Sequence, residues 1–311
     1  NQENLRNAKV TDTYILKGEG IEKWEPRFTY HGFRYIQVEG LPKAPKEGDI
    51  VVKIVRNAVA KTGEFRCSNE LLNRIHKMVV ATESSNLHSV PTDCPQRDER
   101  MGWMNDMTVR IEQALYNFDL SRFYPKFLDD VSDTQDEAGT ITCVAPYRFG
   151  ERPADPVSAS YLLLAWKCYE YYGNFNVVRD HYDGMKAWVD YLASRTKDGV
   201  VEYSYYGDWS PPIEFAIAPE SAVSKDTPGI LMSTGYLYYC ASMLSEMAAL
   251  LDNATDSEYY RQLAERTARA FNDTWWNEEK GGYAANNQAA NSFALFLGIV
   301  PEDRIARVVD N

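Results

Sequence analysis

One change of hydrophobic period divides this chain. Before about residue 66 the apolar residues alternate or run together as strands do, and from Ser68 onward they recur every three to four positions as on helices. Residues 24–40 (WEPRFTYHGFRYIQVEG) are rich in aromatic and β-branched side chains, with His31-Gly32 predicting a turn or bulge, and residues 49–60 (DIVVKIVRNAVA) read as a buried strand. Residues 1–66 are therefore expected to form a β segment, the last strands of a sandwich whose earlier strands are not supplied.

The remainder, residues 67–311, reads as helical. Ser68 is the expected N-cap of a first helix with Leu71, Leu72, Ile75, Met78 and Val79 on one face. Further helices are expected at 106–118, 121–131, 157–172, 176–193, 234–251, 257–275, 288–297 and 302–309. Between them lie loops at 91–106, 147–156 and 205–212 that carry both carboxylates and aromatics, where a rigid scaffold presents a site. Longer loops at alternate connections suggest αα-hairpins closing into a toroid. The count of roughly nine helices is about three short of six hairpins, so the toroid is expected to be incomplete at its C-terminal end.

Composition narrows the partners. With Lys and Arg at 33 against 45 Asp and Glu, the formal charge of −12 provides no basic stripe for a polyanion, and nucleic acid is disfavoured. The longest apolar run, residues 161–166, is far too short to span a bilayer, so no membrane insertion is expected. No signal peptide is visible, and the signal of an exported protein would lie upstream. Cys67, Cys94, Cys143, Cys168 and Cys240 are widely spaced and odd in number, which reads as free, mostly buried thiols. His31, His76, His88 and His181 lack metal-ligand spacing, and there is no GxSxG elbow or phosphate loop, so neither a metal nor another cofactor is expected.

The most informative stretch is residues 91–106, PTDCPQRDERMGWMND. It crowds Asp93, Asp98, Glu99 and Asp106, with Arg97, Arg100 and Trp103, between two prolines and a glycine. These residues could be salt-bridged loop groups capping the next helix. They could equally serve a glycosidase, whose acid must stay protonated near neutral pH, because carboxylate neighbours and an apolar wall raise a carboxyl pKa.

The run DCPQRDER followed by GW and a later Asp resembles the signature of family 78 α-L-rhamnosidases. Residues 24–40, 63–76 (GEFRCSNELLNRIH), 207–209 (GDW) and 288–295 (QAANSFAL) resemble further segments of that family in the same order. Of these the first motif is long enough to be specific, whereas GDW alone is weak. The resemblance implies an (α/α)6 catalytic domain over 67–311 and a rhamnose-containing carbohydrate as partner, removed from polysaccharides or glycosides with inversion. It implies Glu99 as general acid, Asp93 and Asp106 as ligands of the sugar hydroxyls, and Arg97 as a group that binds sugar or fixes a carboxylate. Trp103 and Trp209 match aromatic walls, suited to a 6-deoxy sugar's methyl group. Asp155 matches another sugar-binding Asp, but the family's following Trp-Gly pair is replaced by Pro156, Val157 and Ser158, which leaves one wall unaccounted for. Asp208 reads as a loop-fixing acid.

The family's setting implies a periplasmic or secreted protein. The general base matches no segment and is expected beyond Asn311, so the 311-residue chain by itself is expected to be inactive. Two rivals remain: another (α/α)6 glycosidase or polysaccharide lyase, and a non-catalytic carbohydrate-binding protein.

Overall fold

Helices with two kinds of buried surface build the fold. The computed structural model describes residues 3–218 and 221–311, and among these are nine α-helices. They are α1 (Glu70–Ser85), α2 (Met104–Asn117), α3 (Phe123–Ser132), α4 (Ser160–Tyr172), α5 (Phe175–Ser194), α6 (Gly229–Leu250), α7 (Ala254–Trp275), α8 (Gln288–Leu297) and α9 (Glu302–Val309). In α4 the consecutive residues Ser160, Tyr161, Leu162, Leu163, Leu164 and Ala165 are all buried, so the first half of the helix is covered on every side. By contrast α5 buries Val178, His181, Tyr182, Met185, Trp188, Val189 and Leu192, a stripe at helical spacing that covers one face. The series α2, α4, α6 and α8 packs in order as an inner layer, and α3, α5 and α7 lie outside it. This is the hairpin array of an (α/α)6 toroid.

Consecutive antiparallel helices place every second connection at the same end. The short connections (118–122, 173–174, 251–253 and 298–301) lie at one end, and the long ones (86–103, 133–159, 195–228 and 276–287) at the other. Three of the long loops begin with a small antiparallel hairpin: β1 (Leu87–His88) with β2 (Val90–Pro91), β3 (Thr196–Lys197) with β4 (Val200–Val201), and β5 (Trp276–Asn277) with β6 (Gly282–Tyr283). The loops expected to carry chemistry therefore share one end because of chain topology.

Several sequence expectations shift. Asn69, not Ser68, caps α1, accepting from the N–H groups of Leu71 and Leu72. Leu71, Leu72, Ile75, Met78 and Val79 do share a face, but it is exposed in this chain, and Glu83 is the buried residue of α1. Helix α6 begins five residues before the expected 234 because Ile230, Leu231 and Met232 continue its apolar run behind Pro228.

The expected strands at 24–40 and 49–60 are not formed: among the described residues before 60 there is no ladder. A strand exists only with a hydrogen-bonded neighbour, and the aromatic and β-branched composition that predicts one supplies no partner edge. What this segment does have is a contact with the 91–106 motif. The Tyr30 carbonyl accepts from Arg100 at 2.8 Å, the Arg100 guanidinium lies over the Tyr30 ring, and that ring stacks on His88. Gly32 is required by this docking and not by a turn, since a Cβ there would stand 2.7 Å from the Gln96 Cβ.

Gly102 occupies a tight backbone junction of the site end. The Gly102 carbonyl accepts from Ala145 at 3.0 Å and Met104 N–H donates to Cys143 at 2.8 Å, which pairs Trp103 with Val144 and satisfies an N-terminal amide of α2. A Cβ on Gly102 would meet the Ala145 carbonyl oxygen at 2.2 Å. Gly102→Ala is expected to destabilise the protein by about 1–3 kcal/mol through forced separation of the two backbones. Chemical denaturation compared with an exposed control such as Gly173→Ala, where a Cβ has open space but the φ is positive, would separate the steric clash from backbone strain alone.

Candidate active site

The motif closes on itself through Asp93. Its Oδ1 accepts from Met101 N–H at 2.8 Å while its own N–H donates to the Met101 carbonyl, so residues 93–101 form a loop pinned at its neck. Arg97, inside the loop, places one Nη2 3.2 Å from Asp93 Oδ2 and 2.8 Å from Glu99 Oε2. Arg6 approaches Glu99 Oε2 from the N-terminal segment at 2.7 Å. Asp93, Cys94 and Glu99 bring their ligand-type atoms within 4.8 Å of one another, and the positive charge beside both carboxylates is that of Arg97. Cys94 is not a thiolate there, because burial and the Asp93 carboxylate push its pKa up to about 11.

Glu99 thus meets two guanidiniums. A carboxyl whose pKa is raised is Asp106, in the first turn of α2. Burial, followed by the charge of Asp93, lifts its pKa to about 6. Asp106 is exposed to solvent. One turn further along α2, Arg110 donates to the Thr92 carbonyl at 2.7 Å and to Glu83 at 3.0 Å, and Gln113 donates to the other Glu83 oxygen. That buried pair ties α1, α2 and the start of the motif together.

Trp103 immediately precedes α2, half-buried, and Trp209 is 54% exposed. They are joined through a residue that sequence reasoning missed. The Tyr206 ring meets Trp103 edge-on at 5.8 Å and Trp209 edge-on at 5.1 Å. The loops before α2 and α6 therefore converge, as the toroid topology requires. Glu151, also missed, accepts from the Tyr206 hydroxyl. Both lie in or beside loops singled out in the sequence. Nothing there distinguishes Tyr206 from Tyr203 and Tyr205.

Asp155 behaves differently from the sugar-binding Asp it was matched with. It is 0% exposed, its Oδ1 accepts from Val157 N–H at 2.9 Å, and its Oδ2 accepts from the N–H groups of Tyr205 and Tyr206. Its carboxylate ties the loop before α4 to the loop before α6. Pro156, Val157 and Ser158 are buried beside it.

With this geometry in hand, comparison with known proteins is decisive. The model of the bacterial α-L-rhamnosidase six-hairpin glycosidase domain matches residues 60–311, and that of the bacterial α-L-rhamnosidase concanavalin-like domain matches residues 1–56. The chain belongs to the family 78 α-L-rhamnosidases. It is 34% identical over 301 residues to an α-L-rhamnosidase of Streptomyces avermitilis, covering 96% of this chain and 28% of that protein. The solved α-L-rhamnosidase of Dictyoglumus thermophilum is 44% identical with a TM-score of 0.93, over 99% of this chain and 34% of its own. The S. avermitilis α-L-rhamnosidase complexed with L-rhamnose is 31% identical with a TM-score of 0.89, over all of this chain and 29% of its own. The chain thus spans about a third of the length of these rhamnosidases.

Two measurements examine the site. Asp155→Asn places an amide NH₂ among N–H donors in a buried position and is expected to cost about 2–4 kcal/mol of stability. An unchanged unfolding midpoint together with weakened sugar binding would return Asp155 to the role of sugar ligand. For Asp106, an ionised carboxylate accepts stronger hydrogen bonds from sugar hydroxyls than a neutral one. Were Asp106 a ligand of the sugar, L-rhamnose affinity would rise as pH increases through about 6, where Asp106 loses its proton. Calorimetric titrations from about pH 4.5 to 7.5 should show that inflection in the parent protein and lose it in Asp106→Asn.

Proposed function

We propose that the protein carrying this chain is an inverting glycoside hydrolase that removes terminal α-L-rhamnose from glycosides or polysaccharides. The reading is supported by the contact of Asp93, Arg97 and Glu99 within one loop, the charge of Asp93 felt by Asp106, and the link of Trp103 to Trp209 through Tyr206, in loops at the same end of the helices. The likeness over the whole chain to a rhamnosidase complexed with L-rhamnose supports it.

In this reading Glu99 donates a proton to the glycosidic oxygen as the bond to the anomeric carbon breaks. Its side chain is 18% exposed, so it can be reached, and Arg6, 55% exposed, is the partner that an arriving leaving group can displace at small cost. Arg97 remains behind, held also by Asp93, and fixes the direction of the Glu99 carboxyl. Asp106 accepts from sugar hydroxyls, and the Asp93 side chain is largely enclosed. The indoles of Trp103 and Trp209 provide the apolar surface that a 6-deoxy sugar's methyl group requires.

Inversion needs a second carboxyl about 6.5–9.5 Å from the acid, with room for a water between them. Asp93 does not meet this requirement, since its oxygen lies within 4.8 Å of Glu99's with Arg97 beside both. Asp155 does not meet it either, because its oxygens are enclosed by backbone N–H groups.

Glu99→Gln tests the assignment in the longest polypeptide that carries this sequence. Turnover of rhamnosides with poor leaving groups should fall about 10²–10⁴-fold, activated aryl rhamnosides should suffer less, and L-rhamnose binding should persist. Equal, small losses on both substrates would remove Glu99 from the role. Tight rhamnose binding by a parent protein without hydrolysis would instead identify a carbohydrate-binding protein.

A further inference from the structure

We propose that Tyr206, clamped by Glu151, is the positioning residue that sets the angle between the two indole walls and so the preference for a 6-deoxy sugar. The inference rests on the rhamnosidase reading of this site for its substrate and on the ring geometry for its mechanism.

The observations are mutually independent. Tyr206 is held at both ends: its backbone N–H donates to Asp155 Oδ2 at 2.9 Å, and its hydroxyl donates to Glu151 Oε2. Glu151 is itself anchored, since its carbonyl accepts from Cys143 N–H at 3.1 Å, on the same segment that pairs with Gly102 and Trp103. The Tyr206 ring stands at 89° to the Trp103 indole and at 85° to the Trp209 indole. One ring therefore stands perpendicular to each wall, across loops that belong to different hairpins. Trp103 has further support, because its Cζ3 and Cη2 lie against Gly150. Trp209 is the exposed member, and the Tyr206 ring packs against it. Removing the Tyr206 ring releases Trp209 far more than Trp103.

A wall free to tilt still offers apolar surface, but it no longer discriminates a methyl from a hydroxymethyl group. The effect belongs to substrate fit, since Tyr206 donates its proton to Glu151 and moves none in the reaction. Tyr206→Ala is therefore expected to raise KM for an aryl α-L-rhamnoside about tenfold, with kcat changed less than about threefold. The kcat/KM ratio of the aryl α-L-rhamnoside over the aryl α-L-mannoside, which differs by a hydroxyl at C6, should fall by about tenfold. Tyr206→Phe keeps the ring and loses the clamp, so it should restore most of the ratio. Glu151→Gln, which can still accept from the hydroxyl, should behave as Tyr206→Phe or better.

The experiment is this kinetic set in the longest polypeptide that carries the sequence, with unfolding midpoints, and crystal structures of the parent and of Tyr206→Ala. A shifted Trp209 and a lowered rhamnoside-to-mannoside ratio support the inference. Equal losses on both sugars, tracking a lowered unfolding midpoint and not rescued by Phe, would reduce Tyr206 to a packing residue and overturn it. An unmoved Trp209 in Tyr206→Ala overturns it whatever the activity. If the parent cleaves no rhamnoside, the functional reading fails separately, and the crystal structures still decide whether Tyr206 sets the indole angle.

Discussion

The site depends on one buried carboxylate, Asp155. It sits at 0% exposure between the loops that precede α4 and α6, and it accepts from backbone N–H groups of both and from the Ser204 hydroxyl. An isolated ionised carboxylate in such a place is costly, and N–H donors from two loops make it tolerable by fixing those loops to each other. The tyrosine whose amide it holds reaches both tryptophans. Removing that tie would leave two well-formed hairpins without a defined relation at their ends. A residue that looks from sequence like a sugar ligand is thus a structural clamp, and the aromatic walls exist as a pair because of it.

Charge is arranged around the motif with similar economy. Arg97 between Asp93 and Glu99 allows two carboxylates to stand close together, where unscreened they would repel. Asp106, near Asp93 but without that guanidinium, carries the cost of crowding and burial, and its pKa rises to about 6. Arg110 moderates this from below while binding Glu83 and the Thr92 carbonyl, so the element that positions the motif also tunes it. The environment separates the carboxylates into two that share a guanidinium and one raised by burial, a division that charge clustering in the sequence does not disclose.

The N-terminal segment contributes through contact with the motif. Arg6, Tyr30 and Gly32 touch Glu99, Arg100 and Gln96 respectively, across more than sixty residues of sequence. Arg100 takes a left-handed backbone with φ of 48°, uncommon for a side chain of its size, and both its guanidinium contacts are to Tyr30. The two parts of the chain, matched by two rhamnosidase domain models, are therefore joined at the site itself.

The sequence by itself determined the helices, because a 3.6-residue apolar period survives any tertiary arrangement, and α8 and α9 fall where the pattern puts them. It also determined which loops matter, through the density of carboxylates, guanidiniums and tryptophan in residues 91–106. Only the tertiary structure decided what those groups do. Whether an extended segment is a strand depends on a neighbour that local composition cannot supply, as residues 24–40 and 49–60 demonstrate. Whether an Asp binds sugar or backbone depends on which N–H groups surround it, and for Asp155 two of these come from residues about fifty positions away. Tyr206 and Tyr203 are equivalent as letters in a loop. They differ because Tyr206 faces the indoles and Glu151 while Tyr203 donates to the Ala154 carbonyl, a distinction set by long-range packing, which no local pattern encodes.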